Sequence, residues 1–312
     1  GYDLIKNTWP QNVFARLAVP EAILPAVVLS GTRIGTVCGQ AALETGIPQG
    51  TAVIAGMTDS CAAQIGAGAL NVGSWNSVLG TTLAFKGVTQ ELIHDPAGVM
   101  YSHRSPDGGW LPGGASGAGA GVLSLYFFER DLDALSVQAM EREPARIIAY
   151  PLASSGERFP FSEPGAERFF LGKPLDEIDI YAALLQGVAF VERLSFDYLD
   201  MLGAPIDGEL SLTGGGARSR YWCQLRADVL GRSVRIPENS EPALGMAVLA
   251  ASVGRRLADV AQEMSRTHEV IDPRPDRTGR FQEPYLRLIQ ELEHRGWISV
   301  LFARHARMRA NP

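Results

Sequence analysis

Between residues 51 and 88 the run TAVIAGMTDSCAAQIGAGALNVGSWNSVLGTTLAFKGV restricts the possible folds more than any other stretch of the chain. It opens with four apolar residues, 52–55, whose length and composition predict a short strand of a parallel sheet, buried on both faces. Asp59 follows where this strand gives way to the small-residue segment 61–70, and strand ends of this kind are where open α/β sheets keep their chemistry. Two further runs, 74–79 and 83–88, flank Gly80-Thr81-Thr82 and predict a hairpin. With one glycine and two hydroxyls in the turn, its backbone N–H groups are free to face an anion. A base and a phosphate cradle thus fall within one short segment.

A second constellation lies at 209–238, ELSLTGGGARSRYWCQLRADVLGRSVRIPE. It reads as a strand (210–213), a tight turn of three glycines, an amphipathic helix (218–230) and a strand (234–237). Three glycines let backbone approach a flat or charged ligand with no side chain intervening. Trp222 stands one turn into the helix, where a Trp either stacks on a base or fills the core. The unit also resembles half of a dinucleotide fingerprint, with Glu238 near the distance of a ribose-binding acid, but Ser219 occupies the place of the third glycine of GxGxxG.

Around these two units the chain alternates short strands and helices. A helix is expected at 11–17, a strand at 34–37, a helical turn at 40–45, and a strand at 99–103 that returns through Pro106-Asp107-Gly108-Gly109. The glycine-rich loop 113–121, which includes Gly119, meets a helix at 122–130, so either its unpaired N–H groups and partial positive charge lie near a phosphate or ribose, or the glycines serve tight packing and looping. After a strand within 146–152, the loop 154–165 (SSGERFPFSEPG) is expected to be ordered, with polar Glu157 and Arg158 serving either a surface salt bridge alone or a role of their own. An apolar stripe at helical spacing predicts a core helix over 176–202 stopped by Gly203, and 242–255 predicts a closely packed small-residue helix. Residues 284–307 read as an amphipathic helix ending in a frayed basic tail.

Composition narrows the function classes. A chain of 312 residues, 46% hydrophobic and 20% charged, builds one large or two smaller globular domains. Its net charge of -6, with no Lys/Arg block, argues against a general nucleic-acid binder. No apolar run approaches the ~20 residues of a membrane span. Cys38, Cys61 and Cys223 are scattered without CxxC pairing, which predicts buried thiols, a reducing cytoplasmic setting and no metal site of their own. His94, His103, His268, His294 and His305 are isolated; His103, inside Ser-His-Arg, is the one closest to a motif.

The run TGGGARSRYWCQLRADVLGRSVRIPENSEPALGMAVLAA resembles the C-terminal signature of the FGGY carbohydrate kinases, and AGMTDSCAAQIGAGA resembles their catalytic-aspartate segment. The likeness continues in order through LGTT, YSHRSPDGGWLPGGAS and GERFP, and covers about residues 1–255; the loops most resemble the ribulose or xylulose kinase branch. It implies an α/β fold of the actin-like ATPase (ribonuclease H-like) class, the C-terminal half of a two-domain sugar kinase that uses ATP and Mg²⁺. Residues 1–69 would be the trailing end of the N-terminal domain and 70–312 the nucleotide-binding domain. Asp59 would be the general base and would face the sugar together with Ser60. Gly80, Thr81 and Thr82 would hold the γ-phosphate end of ATP, Gly119 would lie near phosphate or ribose, and Gly215, Gly216, Ser219 and Trp222 would line the adenosine. Two departures stand out: Ser219 replaces an Asn frequent in the branch, and Ser60 an Asn or Gln common after the aspartate.

The expected reaction is ATP-dependent phosphorylation of a sugar hydroxyl, most simply of a ketopentose such as D-ribulose or D-xylulose. The family's DxGTxxxR-type phosphate loop and acidic metal site have no counterpart before Asp59, so the chain is expected to be part of a longer kinase and inactive by itself. Small-molecule partners are implied, with no nucleic acid or membrane, and a homodimer is compatible with the resemblance. Two rivals remain: a dinucleotide-binding oxidoreductase built on 213–238, and a non-catalytic nucleotide-binding module that does not depend on Asp59.

Overall fold

A computed structural model describes residues 2–310. The chain begins with α1 (Gln11–Arg16), β1 (Arg33–Thr36), α2 (Gly39–Thr45), β2 (Ala52–Ile54) and α3 (Asp59–Gly66). A run of strands follows: β3 (Trp75–Leu79), β4 (Leu83–Gly87), β5 (Tyr101–Arg104) and β6 (Trp110–Ser116). Next come α4 (Gly121–Tyr126), α5 (Leu132–Met140), β7 (Ile148–Tyr150), β8 (Phe169–Leu171) and the long α6 (Glu177–Met201). The last third alternates β9 (Leu210–Thr213), α7 (Arg220–Leu230), β10 (Val234–Pro237), α8 (Pro242–Ala251), α9 (Leu257–Met264) and β11 (Thr267–Ile271), then closes with α10 (Pro275–Thr278), α11 (Gln282–His294) and α12 (Val300–Ala310).

Seven strands form the main sheet in the order β11-β10-β9-β3-β4-β6-β5. An antiparallel meander, β3-β4-β6-β5, meets a parallel pair, because β9 runs parallel to both β3 and β10. The turns after β3 and β9, which are neighbours with Val78 opposite Thr213, therefore open at the same edge of the sheet. One face of the sheet is covered by α6. Its Phe196 meets Trp75 and Phe85 edge-on, with ring centroids 6.0 and 5.6 Å apart. Asp176 caps α6 by accepting from the N–H groups of Ile178 and Asp179, satisfying orphan donors of the first turn. On the other face α3 buries Cys61 with Val88 and Leu111, and Ile65 with Val248, Leu249 and Leu257. The backbones of α3 and α8 nearly touch: a Cβ on Gly245 would lie 1.8 Å from the Ala62 carbonyl oxygen, so no larger residue fits this crossing.

Four expectations change. β2 is not a buried parallel strand; it pairs antiparallel with β1 alone and stays largely exposed, because its apolar run finds no second layer to cover it. Residues 113–116 are not loop but the end of β6, where Gly113 and Gly114 let Lys86 and Phe159 lie across the strand. The C-terminal helical stretch breaks at Gly296 (φ 74°), and α12 is docked rather than frayed: Phe302, Ala303 and Ala306 are buried, and Arg309 pairs with Asp197 and Asp200. Cys38 is exposed, while Cys61 and Cys223 are buried.

Candidate active site

The two glycine turns meet. Gly80 follows directly on Leu79, the last residue of β3, and the second turn is pressed against that same residue. Gly214 takes φ 83°, and a Cβ there would lie 2.6 Å from the Leu79 carbonyl oxygen; one on Gly216 would meet the Leu79 side chain at 2.4 Å. Only glycine satisfies both positions, while Gly215 between them has nothing within 4 Å of where a Cβ would stand.

The Gly80-Thr81-Thr82 turn is held from behind by its carbonyls. Ala120 N–H donates to Gly80 (2.9 Å), Gly121 N–H to Thr81 (3.1 Å), and Leu83 N–H to Ala118 (2.7 Å). The N–H groups of Thr81 and Thr82 have no acceptor among the described residues. Gly119 touches the turn so closely that a Cβ would lie 2.5 Å from the Thr81 oxygen. Backbone donors left free in a fixed turn form an anion-binding concavity.

Beside the second turn lies a cavity of about 520 Å³, walled by Ala120, Phe127, Tyr181, Gly215, Gly216 and Ser219, with Trp222 also lining it. Ser219 is the N-cap of α7, its Oγ accepting from Trp222 N–H at 3.3 Å. Trp222 is 3% exposed and donates its indole N–H to the Leu185 carbonyl at 3.0 Å, so it is a core residue presenting an edge to the cavity, not a free stacking face.

Asp59 is the first residue of α3 and is exposed; its Oδ1 accepts from Ser60 N–H at 2.7 Å, and Ser60 is half-buried. Across the sheet face under α3 stand Lys86, Tyr101 and His103, and the Asp59 charge reaches the Tyr101 hydroxyl, which burial above all pushes upward. Among the described residues no three His, Cys, Asp or Glu side chains are placed to hold a metal such as Mg²⁺. Of the other histidines, His305 pairs with Asp200 at 2.8 Å, away from the turns.

The residue that sequence reasoning misread is Glu157. It is 1% exposed and forms no surface salt bridge; Arg158, its expected partner, is exposed while the carboxylate points inward. Oε2 accepts from Ser116 Oγ (2.8 Å) and Tyr150 OH (2.6 Å), and Oε1 from the N–H groups of Gly117 (2.6 Å) and Arg158 (2.8 Å). The carboxylate thereby fastens residues 116–118, which in turn hold the Gly80-Thr81-Thr82 turn through Leu83. The only signal in the sequence was an acid between glycine and proline in an ordered loop. Replacing Glu157 with Ala leaves these donors unsatisfied and is expected to cost about 2–4 kcal/mol in denaturant unfolding, whereas Glu157→Gln retains most of the stability because hydroxyl partners reorient.

The family described as the FGGY family of carbohydrate kinases, C-terminal domain, matches residues 75–253. The chain belongs to the FGGY family of carbohydrate kinases. Xylulose kinase of Staphylococcus epidermidis is 26% identical over 289 residues, covering 89% of this chain and 58% of that protein. L-xylulose/3-keto-L-gulonate kinase of Escherichia coli is 29% identical over 298 residues, covering 92% and 58% respectively. The crystal structure of xylulose kinase from Rhodospirillum rubrum superposes with a TM-score of 0.81 at 27% identity, covering 94% of this chain and 62% of that one. The fold is thus the actin-like ATPase fold of these kinases, and the chain spans little more than half the length of the relatives it matches.

Proposed function

We propose that these residues form the nucleotide-binding and base-carrying part of a kinase that transfers the γ-phosphoryl group of ATP to a hydroxyl of a ketopentose such as D-ribulose or D-xylulose. The observation that carries the proposal is the pair of glycine turns at adjacent strand ends, the first with the Thr81 and Thr82 N–H groups unpaired and the second, Gly215 and Gly216, lining a cavity. The names of the relatives favour a ketopentose. In this reading residues 1–69 close the sugar-binding domain and 70–312 bind nucleotide, and the free thiols suit the cytoplasm.

Phosphoryl transfer asks little covalent chemistry of a protein; it needs an oriented nucleophile, a base within reach and donors around the moving charge. Asp59 takes the proton of the attacking hydroxyl, and Ser60 contacts the sugar. Thr81 and Thr82 N–H groups receive the γ-phosphate end, where they oppose the charge that develops on the equatorial oxygens, while the Gly80 N–H donates to the Thr82 carbonyl at 3.0 Å and fixes the turn. Gly119 leaves room for phosphate, while Gly215, Gly216, Ser219 and the edge of Trp222 line the adenosine. The Ser219 hydroxyl already caps α7, so its contribution is to fix the helix start and not to reach the base.

By calorimetric titration the 312-residue chain is expected to bind ATP, and Gly119→Val to weaken that binding at least about tenfold by displacing the Thr81-Thr82 turn. The chain alone is expected to release no ketopentose-dependent ADP. Tight binding of NADH with none of ATP would favour the oxidoreductase reading instead. Vigorous turnover by the isolated chain would show that no further part is needed.

A further inference from the structure

Lys86 is the buried cation that the reaction described above leaves without a task. It is 2% exposed, and among the described residues no carboxylate lies within ion-pair distance of its Nζ. Its place is built deliberately: Gly113, opposite it on β6, carries no Cβ, and one there would meet Nζ at 3.0 Å. Nζ sits 4.4 Å over the Tyr101 ring, 3.5 Å from the Leu111 carbonyl and 3.0 Å from His103 Nδ1. Burial lowers the ammonium to about 8, so near neutral pH it remains mostly charged.

An ammonium group only donates. His103 Nδ1 must therefore accept, and the ring proton must reside on Nε2, which has no protein partner among the described residues. His103 lines a cavity of about 440 Å³ together with Tyr2, Asn7, Met57, Thr58 and Arg104, so the chain neighbours of Asp59 form part of the same wall. Burial and then the Lys86 charge hold the imidazole below its usual range, which keeps it neutral and in one tautomer. The titratable groups shown against it are Lys86 from β4 and Tyr101 from β5, with Arg104 lining the same cavity; the Asp59 and Arg158 charges act on the neighbouring Tyr101.

We infer that His103 is a sugar-binding residue, donating its Nε2–H to a carbonyl or hydroxyl oxygen of the acceptor, and that Lys86 is a positioning residue that fixes the donor tautomer and polarises it. This deepens the kinase reading and rests on it.

Two measurements test it. In ¹⁵N-histidine NMR of the 312-residue protein near neutral pH, His103 is expected as the Nε2–H tautomer, and Lys86→Met is expected to mix the tautomers and to raise the pH at which the ring protonates. An Nδ1–H tautomer in the unaltered protein, or no change in Lys86→Met, overturns the inference. In the full coding sequence carrying these residues, His103→Ala and Lys86→Met are each expected to raise the ketopentose KM about tenfold while the ATP KM stays within about twofold, with His103→Gln restoring part of the loss because its amide still donates. Unchanged sugar KM in both variants removes the inference and leaves the kinase reading standing. Absence of any sugar-dependent ADP release by the unaltered enzyme removes both.

Discussion

Asp59→Asn, made in the full coding sequence, is expected to lower kcat by about 10²–10⁴-fold, the range that a positioned general base contributes. The substitution is nearly isosteric, and an amide oxygen still accepts the Ser60 N–H that Oδ1 accepts at 2.7 Å, so the start of α3 is retained. Exposure of Asp59 keeps the cost to folding small, a few tenths of a kcal/mol through the lost charge at the helix N-terminus. In the proposed reading ATP is held by the turns at the ends of β3 and β9, so its binding should change by less than about twofold, which places the whole effect in the transition state. Coupled ADP release and nucleotide titration on the same preparation separate the two. A variant with full turnover would remove Asp59 from the mechanism and favour a non-catalytic nucleotide-binding module.

The largest stability effect is expected at Arg226. This guanidinium is fully buried in α7 and forms a fork with the equally buried Glu192 of α6, Nε to Oε2 at 2.6 Å and the second nitrogen to Oε1 at 2.8 Å. A further bond of 2.8 Å reaches Ser77 Oγ on β3, so one side chain ties two helices to the central strand. Arg226→Met removes the cation and strands Glu192 in hydrocarbon, which should cost about 3–5 kcal/mol. The double change Arg226→Met with Glu192→Leu should recover most of that loss, since a well-packed apolar pair of similar volume avoids desolvating two charges. Denaturant midpoints of the two variants give the comparison; equal loss in both would show that packing, not the unpaired charge, dominates. Because the N-terminus of α7 carries Ser219 and Trp222, the single variant should also weaken ATP binding.

Much of the site was legible from local rules. The hairpin around Gly80-Thr81-Thr82, the strand-turn-helix at 210–230 and the α6 stripe follow from period and turn chemistry, which neighbouring residues dictate, and the hairpin pairs Leu79 with Leu83 as expected. The buried reading of residues 52–55 failed because an apolar run records what a strand tolerates, not which layer covers it. Glu157 looked like a surface acid because its donors come from Ser116, Gly117 and Tyr150, brought together only by folding. The sequence by itself determined the two glycine turns with their flanking strands and helix, the long core helix and the family, since those depend on spacing along the chain. Tertiary structure alone decided that Gly216 rests on Leu79, that Gly113 makes room for Lys86, and that Lys86 faces His103, because cross-strand register and helix docking bring together residues the chain keeps apart.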